Sequence, residues 1–136
     1  MKQLIFLLFF LPCIAQGQDY RFNNYNINNG LSQSHVNTII QDDNSGLWIG
    51  TQDGLNRFDG STFEIFNPDE TKGIESPFIE VSVKTKDGKI WFGTRNGLTV
   101  FNSKTESFKT FTIDKKKILD IQDICVSPSQ ELFIAT

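Results

Sequence analysis

Apolar and polar residues alternate along Ile79-Glu80-Val81-Ser82-Val83-Lys84, the period of two that marks a strand with unlike faces. Val36 to Gln41 occupies the same place earlier in the chain and reads as its counterpart. A turn follows each, at Asp42-Asp43-Asn44-Ser45-Gly46 and at Thr85-Lys86-Asp87-Gly88, where Asp, Asn and Gly tolerate the left-handed backbone of tight hairpins. Apolar runs resume at Leu47 and Ile90. They break at Gln52-Asp53-Gly54 and Arg95-Asn96-Gly97, with Gly54 and Gly97 suited to a positive φ, and continue to Phe58 and Phe101. Phe63-Glu64-Ile65-Phe66 and Phe108-Lys109-Thr110-Phe111 add a fourth short run to each set. The pattern predicts two groups of four strands, separated by a polar connection up to Pro77.

The two groups are copies of one unit. Trp48, Gly50, Thr51, Gly54, Leu55 and Phe58 recur as Trp91, Gly93, Thr94, Gly97, Leu98 and Phe101, each 43 residues later and without a gap. A third copy starts at Leu132-Phe133-Ile134-Ala135-Thr136. A period near 43 made of short strands and Gly-rich turns is that of four-stranded propeller blades, and helical repeats of similar length lack such paired turns. The fold expected is therefore all-β, a β-propeller of antiparallel blades of which about two and a half are present. The divisions expected are 1–17 as a signal peptide, 18–29 as an outer strand without a blade, 30–72 and 73–117 as blades, and 118–136 as the start of a third.

Trp48-Ile49-Gly50-Thr51 followed by Asp53-Gly54-Leu55-Asn56-Arg57-Phe58-Asp59-Gly60, with Gly30-Leu31-Ser32 and Val36 to Asp42 leading in, resembles the two-component regulator propeller repeat. The resemblance implies the periplasmic sensor region of a bacterial hybrid two-component histidine kinase, with a glycan or its breakdown products as ligand. It further implies that the chain is an N-terminal piece of a longer protein, reaching the membrane only through a later transmembrane segment and capable of pairing as a homodimer.

The repeated positions read as structural. Gly50 and Gly93 lie inside strands, where glycine is unfavourable unless another backbone or side chain approaches closely, and Ala135 fits the same steric need. Trp48, Trp91 and Phe133 share one register and are expected to fill the space between neighbouring blades. A residue present in every copy performs the task common to every copy. Phe22-Asn23-Asn24-Tyr25 has the aromatic spacing of the two fourth runs but no blade before it, so it is expected to close the ring by joining the last blade.

Lys2, the apolar run Leu4 to Leu11 and the small residues up to Gly17 have the layout of a secretory leader, too short to span a bilayer, and place the protein in an exported, periplasmic setting. Without that leader Cys125 is the only thiol, so no internal disulfide forms. Cys125 shares the register of Ile40 and Val83 and is expected to be a small buried apolar residue.

Thirteen basic and sixteen acidic residues give a net charge of −3, which offers nucleic acid no basic stripe. A single histidine, His35, excludes a histidine triad and a two-histidine zinc site within this chain. Asp42, Asp43 and Asp87 partly match the Asp-box turns of sialidases, which are structural hairpins; three arginines and two tyrosines after the leader do not make a sialidase centre. No catalytic, metal or cofactor residue is assigned, and no cofactor is expected. The leading reading is a non-catalytic sensor segment; the alternatives are a secreted glycosidase or lyase with its catalytic residues further on, and a protein-interaction propeller.

Overall fold

A computed structural model describes residues 20–112 and 120–136. The leader expected at 1–17 and the connection 113–118 lie outside the described residues. Among the described residues ten strands form three antiparallel sheets. The first is β1 (Val36–Gln41), β2 (Leu47–Thr51), β3 (Gly54–Phe58) and β4 (Phe63–Phe66), hydrogen-bonded in chain order. The second is β5 (Ile79–Lys84), β6 (Lys89–Thr94), β7 (Gly97–Asn102) and β8 (Ser107–Phe111), in the same order. The third is a pair, β9 (Asp123–Val126) and β10 (Leu132–Ala135). Each sheet is a meander in which every connection is a hairpin, as the alternating patterns and turn residues require.

The register repeats as faithfully as the sequence. Ile40 faces Trp48, Val83 faces Trp91 and Cys125 faces Phe133 across the first hairpin of each sheet. Both complete sheets carry a β-bulge at the start of the inner strand, between Val36 and Thr38 and between Ile79 and Val81. The repeat therefore extends to the irregularity.

The sheets pack face to face. Trp48, Leu55, Ile79, Ile90, Phe92 and Phe101 form the buried core between the first two, flanked by Ile40, Phe66 and Phe108. Burying a large apolar side chain of this kind contributes about 1.5–3 kcal/mol. A second cluster of Leu98, Ile121 and Ile124 begins the same interface between the second and third sheets.

One expectation is corrected here. Cys125 is exposed, because the two-stranded third sheet offers no further apolar layer over the face it shares with Phe133, itself 58% exposed. Its register with Ile40 and Val83 holds, but their burial comes from the neighbouring sheet rather than from register. The Phe22–Tyr25 segment forms no strand: residues 20–26 are irregular and lead into a single 3-10 turn, Ile27–Asn29. That turn is held by Asn26 and Asn29, each side chain accepting from the other's end of the turn, and Gly30 ends it at φ 103°.

Candidate functional site

The repeated motif builds the blade. Thr51 at the end of β2 is fully buried; its hydroxyl donates to the carbonyl of Gly54 at 2.9 Å and accepts from the Asp53 N–H at 3.0 Å. Thr94 does the same for Gly97 and Asn96, at 2.9 and 3.1 Å. The glycine closing each turn has a φ near +120°. The Thr-x-x-Gly phrase is thus a hydroxyl-locked hairpin, and the threonine's oxygen satisfies backbone groups that the tight turn leaves unpaired.

Gly50 meets the inner strand of the following sheet, and Gly93 meets Ile121 just before the inner strand β9. A Cβ on Gly50 would stand 2.6 Å from Ile79 Cγ2, and one on Gly93 would stand 2.7 Å from Ile121 Cγ2. Trp48 is fully buried, with ring centroids 4.4 Å from Phe101, 5.4 Å from Phe66, 5.9 Å from Phe108 and 6.1 Å from Phe92. Trp91 holds the same register but is only half-buried, with Phe111 at 6.0 Å.

Sequence reasoning missed the clasp around Trp48. The buried Asp42 carboxylate accepts from the indole Nε1–H at 3.0 Å and from the N–H groups of Asn44 and Gly46 at 2.9 and 2.8 Å. Arg57 lies 3.6 Å from the same carboxylate and 5.4 Å from the Trp48 ring centroid. This one side chain ties the β1–β2 turn, the inter-sheet tryptophan and β3 together. The signal was present as an aspartate six residues before the tryptophan.

The two ends of the sheets differ. At the end holding the β1–β2 and β3–β4 turns the connections are tight and self-contained: Asp59 accepts from Thr62 and Ser61, which lowers its pKa, and Asp87 takes up Lys89 and then Thr85, which brings its pKa down to about 2. The opposite end carries the long connection 67–78 from β4 to β5. Loops of that kind, placed by a rigid scaffold, are where binding groups collect. Gly54 N–H donates to the Pro77 carbonyl at 2.7 Å, and Asn96 Nδ2 donates to Glu75 O at 3.3 Å, so the connection is pinned to both β2–β3-type turns. It borders a cleft of about 510 Å³ whose polar lining includes Ser32, Asp53, Asn67, Asp69 and Glu75.

Beside this cleft the Arg95 guanidinium lies over the Phe78 ring, 3.4 Å from its centroid, with Nε 3.5 Å from Glu80. In the first sheet the same three positions are Gln52, His35 and Asn37. The chain varies here, whereas Trp, Gly and Thr repeat. Among the described residues no group of three or more His, Cys, Asp or Glu side chains gathers as a metal site, and no helix is long and apolar enough to cross a membrane.

Adjacent four-stranded meanders joined outer strand to inner strand, and packed through one tryptophan per unit, define a β-propeller. Residues 30–53, from the crossing into the first sheet to its Thr51 turn, match the family model described as two component regulator propeller. Over those residues the first blade is similar to that repeat, and the second carries the same motif in register. A 70-residue stretch, half of this chain, is 41% identical to histidine kinase P4 of Formosa agariphila, of which it covers 5%. The fold superposes with TM-score 0.73 on the extracellular domain of a protein from B. thetaiotaomicron assigned as a hybrid two component system, at 27% identity over 84% of this chain and 17% of that one. A second extracellular domain from B. thetaiotaomicron, at 22% identity and TM-score 0.69, shares the fold over 82% of this chain and 15% of its own. The chain thus spans a small part of each relative.

Proposed function

We propose that the chain is part of the exported, non-catalytic sensor propeller of a two-component system, and that it responds to glycans or their breakdown products. The observation that carries this is the contrast between repeated and unrepeated positions. The repeated residues are committed to packing and turns, while Phe78, Glu80 and Arg95 differ between blades and stand at the loop-bearing end. The chemistry suits a polyhydroxylated ligand. Asp53, Asp69 and Asn67 offer acceptors to sugar hydroxyls, and the Arg95–Phe78 stack offers a flat apolar and cationic surface beside them. Binding such a ligand calls for positioned hydrogen bonds and no nucleophile. The likeness to extracellular domains of two-component systems supports both the sensing role and the exported setting.

The test is thermal unfolding of the full-length exported region against a panel of purified oligosaccharides. A true ligand at about one hundred times its Kd stabilises by roughly 2.7 kcal/mol. Arg95→Ala should abolish that shift while leaving the unliganded melting temperature within about a degree. If no carbohydrate shifts the transition, the glycan reading fails. Release of new reducing ends from any of them would replace the sensor with a secreted enzyme.

A further inference from the structure

Charge is unevenly placed around the cavities of the described residues. Arg57 lines the one beside the β1–β2 and β3–β4 turns, Lys86 and Lys89 line one beside the β5–β6 turn, and Lys72 and Lys109 line one between β4 and β8. The cleft at the loop-bearing end has no cation in its wall, and its charged residues are Asp53, Asp69 and Glu75. All three are exposed. The ion pairs among the described residues engage Asp42, Asp43, Asp87 and Glu80, and none of these three.

The backbone keeps these carboxylates in place. The Asn67 side-chain oxygen accepts from the N–H groups of Asp69 and Glu70 at 3.1 and 3.0 Å, and the Asn67 carbonyl accepts from the Thr71 N–H at 2.9 Å. Asp69 therefore stands on a wound turn. Asp53 sits in the hairpin locked by Thr51, and Glu75 precedes Ser76, whose hydroxyl accepts from the Phe78 N–H at 3.2 Å. Side chains on so constrained a backbone rotate but cannot withdraw, and like charges brought against them oppose binding. Arg95 does not offset them. Its Nε lies 3.5 Å from Glu80 and its guanidinium face is laid on Phe78, so that pair is neutral as a whole and the carboxylates of the cleft stay uncompensated.

We propose that this cleft selects its glycan by charge: it admits chains without acidic groups, holds those with a free amino group more tightly, and excludes uronates and sulfate esters. The selectivity rests on the glycan reading of the same site and adds a ligand class to it. A sugar hydroxyl donates to a carboxylate, whereas an acidic sugar adds acceptors and a like charge where acceptors are already in excess. The ammonium of a free hexosamine supplies donors and the opposite charge together, and charge-assisted hydrogen bonds are the stronger kind. Because the three carboxylates are exposed, salt screens the effect and sets its size.

The experiment is calorimetric titration of the full-length exported region with oligosaccharides in charge-matched pairs: chitosan against chitin, galacturonan against its methyl ester, and neutral glucans and mannans against the same chains oxidised to carboxylates at their primary hydroxyls. In each pair that binds, the less acidic member should bind more tightly by about tenfold at low salt. In about 1 M salt the gap should close. Asp69→Asn with Glu75→Gln should also narrow it, without loss of affinity for the neutral member. A uronate or sulfated chain as the tightest ligand overturns the charge selection and leaves the glycan reading standing, and so does a gap that neither salt nor the double variant narrows. Binding of no carbohydrate at all overturns the glycan reading itself, and the selectivity with it.

Discussion

Trp48 and Trp91 occupy one register in two copies of one motif, yet their surroundings share little beyond the aromatic ring that follows. Trp48 has a carboxylate on its indole N–H, a guanidinium over its face and four phenylalanines around it. Around Trp91, Thr85 stands where Asp42 would be and Val100 where Arg57 would be. Thr85 turns to Asp87 and to the Lys89 carbonyl, and the buried Trp91 Nε1 has no partner among the described residues. The lesson is that the repeat transmits shape and turn chemistry, while the polar clasp belongs to a single blade. Tryptophan is retained for its area rather than for its N–H.

The widest separation between the two should come from truncation. Trp48→Ala is expected to cost about 3–5 kcal/mol, the range for aromatic truncations in a packed core, and Trp91→Ala less than half of that in this chain. Chemical denaturation of both variants measures it. Equal losses would mean that Trp91 is as fully packed as Trp48 and would dissolve the comparison.

Replacement by phenylalanine isolates the N–H. Trp48→Phe leaves a buried carboxylate oxygen without its donor, a loss of about 1–3 kcal/mol. Trp91→Phe removes an orphaned donor, so it should be neutral or slightly stabilising despite the smaller ring. Providing Trp91 with an acceptor and its counter-charge, by Thr85→Asp with Val100→Arg, should make Trp91→Phe costly in turn. If the two phenylalanine variants behave alike, the clasp contributes nothing.

The smallest effect lies in the acid limb. Hydrogen bonds from Lys89 and then Thr85 hold the Asp87 carboxyl at about 2, below its usual 3.8. A folded pKa below the unfolded one adds stability that is complete above about pH 4 and disappears as the pH falls toward 2. Asp87 is exposed, so solvent screening keeps the contribution under about 1 kcal/mol. Asp87→Asn should flatten the stability profile in that window alone, and 1 M salt should erase the difference. An effect persisting at pH 7 in high salt would point to a packing role for the turn.

Local pattern carried most of the blade. The bounds of β1 and β5 follow the Val36 and Ile79 runs, and the hairpins fall at the Asp, Asn and Gly clusters, because strand and turn are decided by neighbours a few residues away. What depends on partners far along the chain was not legible. Cys125 has the register of two covered residues and is exposed, since cover comes from an adjacent sheet. Asp42 reads as an ordinary turn residue until the fold brings Trp48 and Arg57 to it. Arg95, Phe78 and Glu80 are unremarkable in sequence and meet only because the 67–78 connection places Phe78 under a turn of the same blade. A repeat also hides its own exceptions: a motif search rewards the positions that agree, and the candidate binding residues are those that do not.

The glycines against Ile79 and Ile121 bear on angular geometry. At the glycines the sheets meet through a bare Cα and an isoleucine side chain, while the outer strands are held apart by Phe66 and Phe108. Two sheets held close at one place and apart at another form a wedge. A methyl group added at Gly50 or Gly93 would push the close contact open, so the residue at these positions sets how near, and at what angle, neighbouring blades lie.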